Sequence, residues 1–257
     1  VCAVKIFMQV GADYSSKLVE KYGISSLVKT GSVNDLNAAA LALGGMSQGV
    51  SPLEMSTAYA TFVNGGEKND SSVYTKVENQ NGEVILKKTS KSTKVLDKGV
   101  AFIMTDLLKS VVSSGIGNPA SISGVQAGGK TGTTSNQFDI WFDGFTPTYS
   151  ASLWIGNDVN IPLSSSSYSA AVLWGKIMNQ VKAAKKGTYL SAPSDVVKAK
   201  AYSVGSSTEY FISGTQRSKK DSVSTTVTIC KDSGYLATPL CTSTTKKSGT
   251  LRPYIPN

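Results

Sequence analysis

The chain has 257 residues, 40% apolar or aromatic and 17% charged, which is material for one ordinary core and a small annex rather than a disordered tail or a fibre. It contains no histidine, so serine–histidine and cysteine–histidine catalysis, histidine-ligated zinc and a histidine pH switch are all excluded. The net charge of +9 is carried by lysine, Arg217 and Arg252 being the arginines; lysines spread without clustered arginine and aromatics argue against a nucleic-acid partner and suit an anionic environment.

Nowhere does the chain approach the ~20 uninterrupted apolar residues of a membrane span, and no basic-then-apolar signal segment opens it. Val1 to Met8 repeats apolar residues at helical spacing and stops at Gly11, which predicts a buried helix with Cys2 a buried thiol on its apolar face. No cap or turn precedes Val1, so the chain reads as cut from something larger. Ser51-Pro52-Leu53-Glu54 has a cap, a first-turn proline and the acid of a capping box, and predicts a helix with Met55, Ala58, Tyr59 and Phe62 as one stripe, ended by Gly65-Gly66. A hairpin follows, with strands near Val73–Glu78 and Glu83–Lys88 joined at Asn81-Gly82. Asp97 caps a helix whose Ile103, Met104, Leu107, Leu108 and Val111 face a core, up to Gly115.

Three strands come next, at Val125–Thr134, Phe138–Phe145 and Tyr149–Asn157, and their short links imply antiparallel neighbours. Ser169 opens a last long helix carrying Leu173, Trp174, Ile177, Met178 and Val181, with Lys182, Lys185 and Lys186 at its C-terminal end. Gly187 closes this unit. From 188 to 257 the composition shifts to Ser, Thr and Lys with short β-prone runs at Glu209–Ile212 and Ser224–Ile229, a small β-rich appendage. The pattern is α/β of the α+β kind: an antiparallel sheet flanked by helices. Three cysteines make neither a disulfide scaffold nor a zinc site, although the Cys230 to Cys241 spacing would accommodate a bridged loop.

The feature that carries chemistry is Gly128-Gly129-Lys130-Thr131-Gly132-Thr133-Thr134. Along a strand, Lys130 and Gly132 point to one face and Thr131 and Thr133 to the other. Gly132 leaves room for another backbone to lie against the strand, and the hydroxyls and the ammonium can grip a carboxylate. That is how a strand edge holds an extended peptide. Lys-Thr-Gly accompanies Ser-x-x-Lys and Ser-Asp-Asn-like motifs in penicillin-interacting serine enzymes. Ser26-Leu27-Val28-Lys29, Ser243-Thr244-Thr245-Lys246 and Ser32-Val33-Asn34 match the other two patterns. Serine and lysine are frequent enough here for chance to supply them, and Lys29-Thr30-Gly31 falls in the same short loop as Ser26 and Asn34. One loop cannot surround a substrate from several sides.

Two longer runs carry a resemblance. Leu43-Gly44-Gly45-Met46-Ser47-Gln48-Gly49-Val50-Ser51-Pro52-Leu53-Glu54-Met55, with Ala58-Tyr59-Ala60-Thr61-Phe62 and Asn64-Gly65-Gly66, is the first. The second is the Lys130 strand followed by Asp139-Ile140-Trp141-Phe142-Asp143-Gly144-Phe145-Thr146-Pro147 and Trp154-Ile155-Gly156-Asn157-Asp158. Together they resemble the transpeptidase domain of class A penicillin-binding proteins, over roughly residues 1–187. The resemblance implies a fold related to serine β-lactamases, incomplete here, because the Ser-x-Asn motif would end just before Val1 and the nucleophile motif would lie further upstream. A complementary N-terminal segment is therefore an expected partner.

The resemblance also implies a serine D,D-transpeptidase acting on peptidoglycan stem peptides and acylated by β-lactams, without cofactor or metal. Lys130 would stabilise the substrate carboxylate and support proton transfer; Thr131 and Thr133 would bind that carboxylate by their hydroxyls. The Thr133 N–H would form half of the oxyanion hole, Gly132 would allow close approach, and Thr134 would complete the substrate-binding strand. Trp141 and Trp154 read as core residues, and Asp139 and Asp143 as solvated or paired carboxylates. The implied location is the extracytoplasmic face of a bacterial membrane, with a single-pass anchor on the whole protein. The 188–257 stretch resembles C-terminal extensions of some Gram-positive members, with Cys230 and Cys241 in a turn. A carboxypeptidase or β-lactamase using water, and a non-catalytic module that binds wall peptide, remain as alternatives.

Overall fold

The computed structural model of the protein describes residues 1–89, 91–201, 207–216, 223–232, 234, 237–238 and 241–251. Two compact units follow one another, Val1–Pro193 and Ser194–Asn257.

In the first unit, α1 (Cys2–Val10) and α2 (Ala12–Lys21) meet at Gly11, whose φ of 85° suits glycine. The spacing that predicts α1 is correct, but its burial is not. None of its residues is buried, Ile6 and Met8 are 60% and 72% exposed, and Cys2 is an exposed thiol. The reason is packing: the main contacts of α1 are with α2 and the short α3 (Ala38–Leu41), and they leave its apolar stripe unburied.

Asp35 ties the following loop together. Only 1% exposed, it accepts hydrogen bonds from Val28 N, Ser47 N and Ser47 Oγ, each at 2.8 Å. Burial works against its charge, but those three donors outweigh it and hold its pKa below the usual carboxylate value.

Helix α4 (Pro52–Val63) starts on the full capping box, Ser51 Oγ accepting from Glu54 N while Glu54 accepts from Ser51 N. Glu54 also accepts from Ser25 N and Oγ at 2.8 and 2.7 Å. Burial raises its pKa, yet the Ser51 and Ser25 donors prevail and bring it down to about 2.

The helix ends at Gly65-Gly66, both at positive φ. A Cβ on Gly66 would stand 2.3 Å from Leu96 O. The Asn81-Gly82 hairpin is present, with β2 (Lys76–Glu78) antiparallel to β3 (Val84–Lys87) through a bulge. Around it lies a pair that the sequence pattern does not announce, β1 (Glu67–Asn69) with β4 (Ser92–Lys94).

Helix α5 (Lys98–Ser113) begins after Asp97, but Asp97 makes no side-chain cap; its carboxylate pairs with Lys94 at 2.6 Å. The three predicted strands are β5 (Gly128–Thr133), β6 (Asp139–Phe145) and β7 (Ser150–Gly156), antiparallel in the order β5-β6-β7. Helix α6 (Ser167–Gln180) starts two residues before Ser169. It lies on one face of the sheet, where Ile140, Phe142, Trp174, Ala170, Ala171 and Met178 form the core with Ala151, Leu153 and Ile155 at its margin. Trp174 is 1% exposed, and its Nε1 donates to Ala151 O at 2.9 Å, so the ring is buried with its polar atom satisfied. Helix α4 covers part of the opposite face, where Ser150 Oγ donates to Ser56 O at 2.8 Å.

The second unit holds two antiparallel pairs, β8 (Val196–Lys200) with β9 (Thr208–Ile212) and β10 (Val223–Cys230) with β11 (Thr244–Leu251). No disulfide joins Cys230 to Cys241.

Candidate active site

β5 is the edge strand of its sheet: β6 pairs with it on one side, and no strand among the described residues pairs on the other. Gly128-Gly129 is there because the packing leaves no room. A Cβ on Gly128 would stand 2.5 Å from the Phe145 ring, and one on Gly129 2.6 Å from Asp143 O. At Gly132 the nearest atom would be Trp141 Cβ at 3.1 Å, a milder contact, and the space over the strand stays free for a neighbour.

The ladder decides which backbone groups are available. Thr134 N donates to Asp139 O at 3.0 Å, one step beyond the Thr133↔Ile140 pair. Hydrogen-bonded pairs alternate in an antiparallel ladder, so Lys130 and Gly132 bond to β6, while the N–H and C=O of Thr131 and Thr133 point to the open edge. Lys130 confirms this polarity. Its Nζ donates over the edge to Thr131 O at 2.8 Å and to Thr131 Oγ1 at 3.3 Å. The edge thus offers one ammonium and the outward amides of Thr131 and Thr133 within four consecutive positions.

The two threonines differ. Thr131 is 8% exposed with its hydroxyl engaged by Lys130, whereas Thr133 is exposed. Thr134 closes the end of the strand: its Oγ1 accepts from Asp139 N at 2.9 Å and lies 3.2 Å from Asp139 Oδ2. Asp139 Oδ1 accepts from Trp154 Nε1 at 2.8 Å. Asn136 and Gln137 turn the chain from β5 into β6 with φ of 61° and 57°, the positive-φ non-glycine residues among those described.

Two sequence expectations need correction here. Trp154 is 36% exposed, not core, and lies against Trp141 with ring centres 6.2 Å apart; the two share the sheet face opposite α6. Asp143 is neither solvated nor paired. It is 5% exposed, its Oδ1 lacks a hydrogen-bond partner, and burial pushes its pKa up to about 6, eased only slightly by Ser152. The cause is packing: Asp143 lies on the Lys130 face, where α4 covers β6 and Tyr59 faces the carboxyl. A lone acidic residue amid Trp141, Phe142 and Phe145 was the available sequence signal.

The decoy residues are engaged elsewhere in the first unit or belong to the second. Ser26 Oγ donates to Gly49 O and Lys29 pairs with Glu20. Ser243 to Lys246 lies at the start of β11, in the other unit. A cavity of about 550 Å³ between α4, α5 and residues 189–193, walled by Phe62, Phe102, Thr105 and Leu190, includes no residue of the β5 edge.

With this geometry in place, the family evidence is specific. The family described as the penicillin binding protein transpeptidase domain matches residues 1–188. This chain belongs to that family. Penicillin-binding protein 1A of Clostridium botulinum (strain Hall) is 35% identical over 255 residues, covering 92% of this chain and 30% of that protein. Penicillin-binding protein 4 of Bacillus subtilis (strain 168) is 36% identical over 156 residues, covering 61% of this chain and 24% of the relative. The chain therefore spans less than a third of the length of these relatives. Among solved structures, penicillin-binding protein 1A from Haemophilus influenzae shares the fold at a TM-score of 0.71 and 21% identity, over 85% of this chain and 39% of that one. The Mycobacterium tuberculosis PonA1 protein in complex with penicillin V shares it at 0.56 and 20% identity, over 68% of this chain and 51% of that one. The transpeptidase fold so identified is a mixed α/β one with antiparallel sheets and helices, and no helix among the described residues is long and apolar enough to cross a membrane.

Proposed function

We propose that the protein is a serine D,D-transpeptidase that cross-links peptidoglycan, with residues 1–187 supplying the Lys-Thr-Gly wall of the cleft and 188–257 forming a C-terminal extension. The nucleophilic serine and the Ser-x-Asn motif come from a complementary N-terminal segment outside these 257 residues. The observation that carries this reading is the β5 edge, where an ammonium and outward-facing amides stand side by side on the side of the strand that no other strand among the described residues pairs with.

An extended stem peptide adds to that edge as a further strand, its backbone bonding to the groups of Thr131 and Thr133. Its terminal carboxylate meets Lys130 and the Thr133 hydroxyl, while Thr131 Oγ1 accepts from the ammonium and holds it in place. When the serine attacks the D-Ala-D-Ala amide, charge grows on the carbonyl oxygen. The Thr133 N–H is one donor to that oxyanion and the serine's own N–H the other. Losing one such donor costs about 10²–10³ in rate. Terminal D-alanine leaves, and an amine of a second stem peptide resolves the acyl-enzyme. β-Lactams take the place of the donor peptide. This chemistry belongs on the extracytoplasmic side of the membrane, on a protein anchored there by another segment.

Labelled penicillin tests the proposal. The 257-residue chain alone stays unlabelled, and adding the complementary segment restores a covalent label; a reconstituted, folded pair that never labels contradicts it. Product analysis with and without an acceptor amine separates cross-linking from hydrolysis.

A further inference from the structure

Lys130 and Asp143 stand directly opposite each other on β5 and β6. They form a hydrogen-bonding pair of the ladder, which places their Cα atoms about 5.5 Å apart with both side chains on one face. Opposite charges in that position ordinarily pair. Here they do not. The ammonium leans over the strand edge to Thr131, and Asp143 Oδ1 is left buried without a partner, with the Ser152 hydroxyl of β7 directly across easing the charge of the carboxylate. An unsatisfied buried polar group costs about 1–3 kcal/mol, so this carboxyl oxygen, across the ladder from a cation that has no carboxylate partner, calls for a cause.

The surroundings of Asp143 narrow it down. Tyr59 faces it from α4, Ser152 from β7 and Lys130 from β5. Trp141 and Phe145 flank it along β6 and are uncharged. Lys130 is therefore the cation within reach by register, and its long side chain has two places to go: outward to Thr131 or across to Asp143.

We propose that Asp143 is a positioning residue for Lys130: with the Asp143 carboxyl protonated the ammonium holds the edge station seen here, and with the carboxyl ionised it crosses the ladder to pair and leaves the edge. The released proton goes to solvent. Burial raises the Asp143 pKa to about 6 with the ammonium at the edge, and pairing with the ammonium draws the exchange to the acid side of that value. The inference rests on the transpeptidase reading for its consequence, because Lys130 serves a substrate carboxylate only from the edge station. Acylation is therefore faster on the acid side of this transition and slower above it.

Two measurements test it, and they fail independently. In the 257-residue chain, the Lys130 side-chain carbon and nitrogen NMR signals, assigned with Lys130→Arg, are followed across about pH 4.5 to 8. They move with a midpoint near that of Asp143 in the wild type and stay flat in Asp143→Asn and in Asp143→Val. A flat wild-type curve, or an unchanged one in both variants, overturns the proposal, whatever the enzyme does. In the reconstituted protein, acylation by fluorescent penicillin falls several-fold as pH rises through the same range; Asp143→Asn removes that fall and Asp143→Glu restores it. Identical pH profiles in wild type and Asp143→Asn also overturn it. No acylation at any pH in any of the proteins counts against the transpeptidase reading and leaves the NMR titration to decide the inference.

Discussion

On one face of the β5-β6-β7 sheet, Ile140, Phe142 and Leu153 disappear under α6, and Trp174, the largest side chain there, has its single polar atom bonded to Ala151 O. On the other face, Lys130, Trp141, Asp143, Ser152 and Trp154 follow one another with an open tryptophan, an orphaned carboxyl and an ammonium leaning over the edge. The same three strands carry both. A face that only has to hold the fold is dry and satisfied, whereas the face proposed to meet substrate retains polar groups whose costs folding alone would remove.

Substitutions on each face sharpen that contrast. The largest effect is expected at Trp174→Ala, which empties the centre of the dry face and destabilises by about 3–5 kcal/mol in chemical denaturation. A loss under about 1 kcal/mol would mean that α6 is not the structural cover.

Next comes the pH dependence of stability on the polar face. The pKa of Asp143 is raised on folding, from 3.8 to about 6, so the folded state binds its proton more tightly than the unfolded state does. Its contribution to stability is therefore complete below pH 3.8, declines as pH rises to about 6, and stays low above that. The drop is about 2–3 kcal/mol, less whatever pairing with Lys130 returns. Asp143→Asn removes this slope, and denaturation at several pH values reads it out.

Gly129→Ala forces a methyl group to 2.6 Å from Asp143 O. It should cost about 1–3 kcal/mol through displacement of β5 against β6. Smallest is Ser51→Ala, which takes the cap from α4 and lowers stability by about 1 kcal/mol, well away from either face.

Much of this was legible in the sequence. The α4 start was, because a cap, a proline and an acid in four residues admit few other conformations. So were the three strands, because short links between apolar runs allow only antiparallel neighbours. The Lys130 strand is legible from residue types alone, and it lies at a sheet edge with Lys130 and Thr133 exposed.

What failed were statements about surroundings. The apolar period of α1 predicts a face to be covered but not whether anything covers it, so Cys2 was wrongly placed inside. Trp154 reads as core because indoles usually are, yet it stands on the face opposite α6 and stays 36% exposed. Asp143 was misread because its burial depends on α4 covering β6, which a single strand's sequence does not encode. Asp97 heads its helix as expected, but Lys94 three residues earlier competes successfully for its carboxylate.

The β5 edge as half of a penicillin-accepting cleft is tested most directly by Thr133→Pro in the reconstituted protein. The Thr133 N–H lies outside the β5-β6 ladder, so proline at this edge position removes the donor without breaking a sheet hydrogen bond. Covalent labelling by fluorescent penicillin should fall about 10²–10³-fold while the melting temperature stays close to that of the wild type. Labelling at the wild-type rate in the folded variant would contradict the assignment.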